Sequence, residues 1–164
     1  MQRIQRFHEV VPFLKKNCLV VCDLDYTLVD YGKPFVEFLK ETSDTESFAH
    51  KAYRSHIHTH RPRLTDSAGF IHLMKEVLHK GKLIFVTCRH PDLEAFTRKE
   101  FKTLNLDYDF FEFHYLDGGS KGEFCHKYLK SNKHDQAILI DDYKKNIRSF
   151  QDFVPDGIAL LFRG

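Results

Sequence analysis

A chain of 164 residues with 42% hydrophobic residues and 16 phenylalanines has the length and apolar content of one globular unit with a sizeable core. Its 25 Lys and Arg are interspersed with 23 Asp and Glu for a net charge of +2, which falls short of a nucleic-acid-binding composition. No apolar run approaches the ~20 residues of a membrane span, and the cysteines at 18, 22, 88 and 125 show neither C-x-x-C nor zinc-ligand spacing, so a soluble, intracellular protein with reduced thiols is expected.

The opening segment MQRIQRFHEVVPFLKK has the pattern of a helix and not of a signal-peptide core, with Ile4, Phe7, Val10, Val11 and Leu14 on one face and Arg3, Arg6, Lys15 and Lys16 around it. Packing of that face on the domain is expected over its lying on a membrane surface. The run CLVVC (18–22) reads as a buried strand that stops on Asp23, with a second acid at Asp25. Pro34 suits the first turn of a helix with Phe35, Phe38 and Leu39 on one face. The stretch from about Thr45 to Arg63 reads as an extra helix, with Arg54, His56, His58, His60, Arg61 and Arg63 crowded near its end.

Asp66 is placed to cap the next helix, whose Phe70, Leu73, Met74, Val77 and Leu78 repeat at helical spacing until Gly81; KLIFVT (82–87) follows as a strand. Pro91 starts another helix and FFEFHY (110–115) is a third strand. SKGE (120–123) is a capping box, with Ser120 as N-cap and Glu123 reaching back, so Lys121 stands at the very start of a helix carrying Phe124, Tyr128 and Leu129. AILI (137–140), a last helix after Asp142, and GIALLF (157–162) complete the series.

Short apolar runs alternating with helix-period segments are the signature of an α/β fold, a parallel sheet covered on both faces. About 50 residues separate Asp30 from the second strand, where a crossover needs only about a dozen, so something is inserted after strand one. With no internal repeat or linker, residues 1–164 read as a single domain and 31–65 as a small insertion within it. The chain stops flush with the fifth strand at LLFRG, and the reading allows for further sequence downstream.

In an open parallel sheet, ligands bind outside the carboxyl ends of the strands. Strand one ends on Asp23 and Asp25, strand two on Thr87 followed by Arg89, strand four on Asp141 and Asp142, and Lys121 opens the helix before strand four. Each has an ordinary explanation, as a turn-former, a helix-entry hydroxyl, a solvated first-turn lysine or a cap. Jointly, those explanations give no reason for acids, a hydroxyl and cations to converge on one edge.

In order along the chain, DLDYT (23–27), Thr87 in LIFVTCR, Lys121 in GGSKGEF and LIDDYKKN (139–146) match the four motifs of the haloacid dehalogenase superfamily of aspartate-nucleophile phosphatases, which the chain resembles from about Asn17 to Phe162. The spelling DLDYTL looks particularly like the small magnesium-dependent phosphatases of that superfamily, some of which act on phosphotyrosine. The resemblance implies a doubly wound, Rossmann-like three-layer sandwich of five parallel strands in the order 5-4-1-2-3, with the insertion at 31–65 as a minimal helical cap. It implies Asp23 as nucleophile through an aspartyl-phosphate, and Asp25 as the acid and base that handles protons. Thr87 and Lys121 are implied to bind phosphoryl oxygens, Arg89 to add a contact to phosphate or substrate, and Mg²⁺ to be held by Asp23, Asp141, the Asp25 backbone carbonyl and Asp142, directly or through water. The chemistry gives the reason for a cation: two unit negative charges about 4 Å apart repel by about 4 kcal/mol at an effective dielectric of 20, so a carboxylate cannot approach a phosphate ester unaided. Lys121 has the plainest surroundings of the four motifs, and Lys127, Lys130 and Lys133 compete with it.

The function expected is a Mg²⁺-dependent phosphomonoesterase acting on a bulky phosphorylated substrate, with a phosphotyrosine protein first and a nucleic-acid 3′-end phosphatase as the alternative. A catalytically silent binding module is disfavoured by the intact motifs, and a dehalogenase by Asp25, which suits proton transfer to an alcohol leaving group. The stretch HIHTHRPR is read as a basic rim that guides an anionic substrate rather than as a metal cluster, because it supplies no carboxylate or Cys. Cys22 and Cys88 flank the catalytic positions and are read as buried, inert packing.

Overall fold

The computed structural model describes residues 2–32 and 61–164. The helix expected at Pro34, the inserted helix with Arg54, His56, His58 and His60, and most of the 31–65 cap lie outside the described residues.

The central strand β2 (Cys18–Cys22) is buried at every position, as an unbroken apolar run in the middle of a parallel sheet must be. It pairs in parallel with β5 (Gly81–Thr87) on one side and β7 (Gln136–Asp141) on the other, so Cys18 faces both Gly81 and Gln136. Beyond these lie β6 (Glu112–Tyr115) next to β5 and β8 (Ile158–Phe162) next to β7. These five are the expected strands in the expected order. A sixth, β1 (Gln2–Ile4), pairs in parallel with β8 at the edge, giving the order β1-β8-β7-β2-β5-β6.

That sixth strand corrects the reading of the opening segment as one helix. The chain instead forms β1 and then a 3-10 helix over Phe7–Phe13 with Pro12 inside it. A regular α-helix through this segment would need an N–H at Pro12 and would set its ring against the preceding turn. The apolar face is nevertheless buried as expected: Ile4, Phe7, Val10 and Leu14 all enter the core. Asp66 ties the segment down, accepting from Phe7 N at 2.9 Å and from the Arg6 guanidinium at 3.3 Å. The same carboxylate caps α1 (Ser67–Lys80) by accepting from Gly69 N at 3.2 Å.

Alternation along β2 divides the core in two. Val20 and Cys22 join Phe70, Leu73, Phe85 and Phe101, under α1, the 3-10 helix and α2 (Glu94–Thr103). Leu19 and Val21 join Ile84, Leu139, Ile147 and Phe150 on the opposite face, under α3 (Lys121–Asn132) and α4 (Lys144–Phe153). The result is the expected Rossmann-like α/β arrangement of three layers.

A second correction concerns the end of the insertion. The helix expected to run to Arg63 does not include it: Arg63–Leu64 is β4, paired antiparallel with β3 (Val29–Asp30). Pro62 explains this, because the residue before a proline is pushed out of helical geometry. Arg63 then faces Asp30 and donates to it from Nε at 2.7 Å. Among the described residues, no helix is long and apolar enough to cross a membrane.

Candidate active site

Asp23 is the first residue past β2, its N–H donating to Ile140 O at 3.0 Å. The chain then turns back sharply: Leu28 N and Val29 N both donate to Leu24 O, and Tyr26 takes the left-handed conformation with φ of 60°. This turn buries Thr27, whose hydroxyl donates to Asp23 Oδ2 at 3.0 Å and accepts from Asp142 N at 3.0 Å. Thr27 therefore ties the end of β2 to the end of β7. Thr27 is a site residue beyond those expected from the strand ends, and its signal in the sequence is its place as the last residue of DLDYT.

Lys121 is fully buried and lies between two acids, donating to Asp23 Oδ1 and, at 2.7 Å, to Asp141 Oδ2. Ser120 sets the start of α3 by accepting from Glu123 N at 3.2 Å. The reciprocal half of the capping box is missing, because Glu123 accepts instead from Lys127 at 2.6 Å. Lys127, Lys130 and Lys133 are exposed along α3, which removes them as competitors. Asp141 accepts from Tyr143 N at 2.8 Å and from Asn146 Nδ2 at 3.2 and 3.0 Å. Asn146 is a further site residue, signalled in the sequence only by its place at the end of the run LIDDYKKN, five positions beyond Asp141.

Burial is the dominant influence on these groups. It pushes the Asp23 carboxyl well above the ordinary range against the pull of Lys121, with Asp141, Asp142 and Asp25 adding to the rise. Asp142 is raised to about 6, first by burial and then by Asp141. Burial alone would lower the Lys121 ammonium, yet Asp141 and Asp23 hold it above the usual lysine value. One lysine thus serves several acids, and the edge carries more negative charge than it can comfortably keep.

Asp23, Asp141 and Asp142 each offer a carboxylate oxygen within 4.8 Å of the others. Three hard oxygen donors with an excess of negative charge fit Mg²⁺. The Asp25 carboxylate is not among them, because it turns toward Arg89.

Thr87 ends β5 fully buried, its hydroxyl accepting from Arg89 N at 3.2 Å. Arg89 departs from the expected phosphate contact. Its guanidinium lies on Asp25, Glu100, Thr97 and Tyr31, and these partners use all five N–H groups. None is left for a phosphate oxygen. All four cysteines are free; Cys22 is buried as expected, whereas Cys88 is only half-buried, and partial desolvation pushes its thiol up to about 11 while burial pushes Cys22 well above its ordinary value.

No family model matches the chain, and no curated protein matches it either. Solved structures do. A hydrolase from Streptococcus pneumoniae TIGR4 superposes with a TM-score of 0.57 at 15% identity, over 89% of this chain and 92% of that one. A protein from Thermotoga maritima assigned as a beta-phosphoglucomutase superposes with a TM-score of 0.54 at 14% identity, over 88% and 94%. At such identities the likeness is one of fold.

Proposed function

We propose that this protein is a phosphomonoesterase that hydrolyses phosphate esters through an aspartyl-phosphate on Asp23. What carries the reading is one arrangement: Asp23 at the end of the central strand, with Lys121 buried between it and Asp141 and Asp142 beside them. Asp23 attacks phosphorus in line while Asp25 protonates the departing oxygen, and Asp25 then takes a proton from the water that cleaves the acyl phosphate. Lys121, at the positive end of α3, and Thr87 hold phosphoryl oxygens. Thr27 and Asn146 keep Asp23 and Asp141 oriented. Mg²⁺, held by Asp23, Asp141 and Asp142 with the Asp25 backbone carbonyl, would supply the positive charge that lets an anionic nucleophile meet an anionic ester.

The substrate we favour is a bulky aryl phosphate, phosphotyrosine on a protein being the leading case. Tyr143 supports it, since this aromatic residue is 58% exposed directly beside Asp142, where it can stack on an aryl group. The proposed cap over residues 31–65 and the basic rim with Arg61 belong to the same reading. A nucleic-acid 3′-end phosphatase is the second reading, and turnover of a phosphotyrosine peptide against a 3′-phosphorylated oligonucleotide separates the two.

The deciding experiment is hydrolysis of p-nitrophenyl phosphate. Turnover in MgCl₂ is expected to vanish with EDTA and in Asp23→Asn, whose amide cannot act as the nucleophile. Undiminished activity in Asp23→Asn would end the proposal.

A further inference from the structure

Among the described residues, Arg89 is the largest fully buried side chain, at 1% exposure. A guanidinium out of water is tolerable only when its charge and all five donors are met. Here the fork has two ends. Toward the site, Nε donates to the two Asp25 oxygens at 3.2 and 3.1 Å, and Nη2 to Asp25 Oδ1 at 2.6 Å. Away from it, Nη1 donates to Glu100 and, at 2.7 Å, to Thr97 Oγ1. Between the two ends stands Tyr31, whose hydroxyl accepts from Nη2 at 2.6 Å and lies 3.3 Å from Asp25 Oδ1. The Tyr31 hydroxyl passes its own hydrogen to Glu100.

Asp25 alone would satisfy the charge of Arg89. Glu100 is therefore a second acid, 3% exposed in the middle of α2, whose burial no charge balance demands. What it adds is direction. By taking the far edge of the guanidinium, Glu100 and Tyr31 leave the fork one orientation, and a planar fork gripping a carboxylate at both oxygens sets that carboxylate's plane as well.

We propose that Glu100 is a positioning residue for the reaction: acting through the two groups it holds, Arg89 and Tyr31, it keeps the Asp25 carboxyl in the orientation from which it exchanges a proton with the leaving oxygen. The proposal rests on the phosphatase reading and on Asp25 as its acid. A proton donor works only within hydrogen-bond reach of its target, and a misplacement of about 1 Å costs about 100-fold.

The test uses the dependence on the leaving group. Phenyl phosphate needs protonation of its departing oxygen, whereas 2,4-dinitrophenyl phosphate expels a stable anion without help. Glu100→Gln and Tyr31→Phe are each compared with the unaltered protein by kcat/KM on both esters in MgCl₂. Loss of Asp25 alignment is expected to lower phenyl phosphate turnover by about 10- to 100-fold, within the range general acid catalysis contributes, and dinitrophenyl phosphate turnover by less than about 3-fold. A purely structural role lowers both together, and no role lowers neither; either result overturns the proposal. Thermal melts establish folding; because the Tyr31 hydroxyl also reaches Asp25 directly, Tyr31→Phe serves as a companion, and where Glu100→Gln does not fold, Glu100→Asp, which draws the carboxylate back from Arg89, decides by the same ratio. If the unaltered protein hydrolyses neither ester, the phosphatase reading falls and this inference with it; if it hydrolyses both and the variants keep its ratio, this inference falls alone.

Discussion

Lys121 shows how much a single side chain can carry. Its ammonium is the cation bonded to both Asp23 and Asp141, and all three groups are buried. Removing one partner from a buried ion network leaves uncompensated charge, which costs about 3–5 kcal/mol. Lys121→Met keeps the stem and discards the charge, so the metal-free variant is expected to lose stability by about that much in urea melts. A divalent cation held by Asp23, Asp141 and Asp142 offsets the same repulsion, and MgCl₂ is therefore expected to raise the melting temperature of Lys121→Met by more than that of the unaltered protein. Equal increments would place cation binding away from these carboxylates.

At the level of elements, the core strands were legible because a parallel strand buried on both faces needs an apolar run and little else, as CLVVC and AILI show. The opening segment was not, because a strand followed by a 3-10 helix can bury Ile4, Phe7 and Val10 just as an α-helix would, and only Pro12 hinted at the difference. The contact of Arg89 with Asp25 was beyond reach for another reason: the partners lie 64 positions apart, and nothing local says which carboxylate a buried arginine meets. Lys121 lay between these cases, since Ser120 fixed its place at a helix start while Gly122, beside it, governs how closely that helix approaches α4. A Cβ at Gly122 would stand 2.2 Å from Ser149 O. Helix propensity alone predicts that Gly122→Ala stabilises α3 by about 0.5–1 kcal/mol. The backbone clash predicts the opposite sign, a loss of about 1–3 kcal/mol by overpacking, together with reduced turnover as Lys121 is displaced. Chemical denaturation distinguishes the two by sign.

Across the molecule, the sheet gathers residues 23, 27, 87, 141 and 142 at one edge, and the resulting crowd of acids couples stability to pH. Asp142 has a folded-state value of about 6, above the 3.8 of a free aspartate, because burial and then Asp141 disfavour its charge; Asp23 is raised as well. Between those values the folded protein holds a proton that the unfolded chain has released, so the contribution of Asp142 to stability falls as pH rises from about 4 to about 6 and stays low above that. Asp23 extends the loss to higher pH. A divalent cation reverses it by taking the place of those protons, and its binding must release them. The melting temperature gained on adding MgCl₂ is therefore expected to be large at pH 7.5 and small at pH 5, read by calorimetry with and without the salt. In Asp142→Asn one of the carboxylates responsible is absent, and the difference between the two pH values is expected to shrink. A gain equal at both pH values would show that the cation binds where no proton competes, away from the raised carboxyls of Asp23 and Asp142.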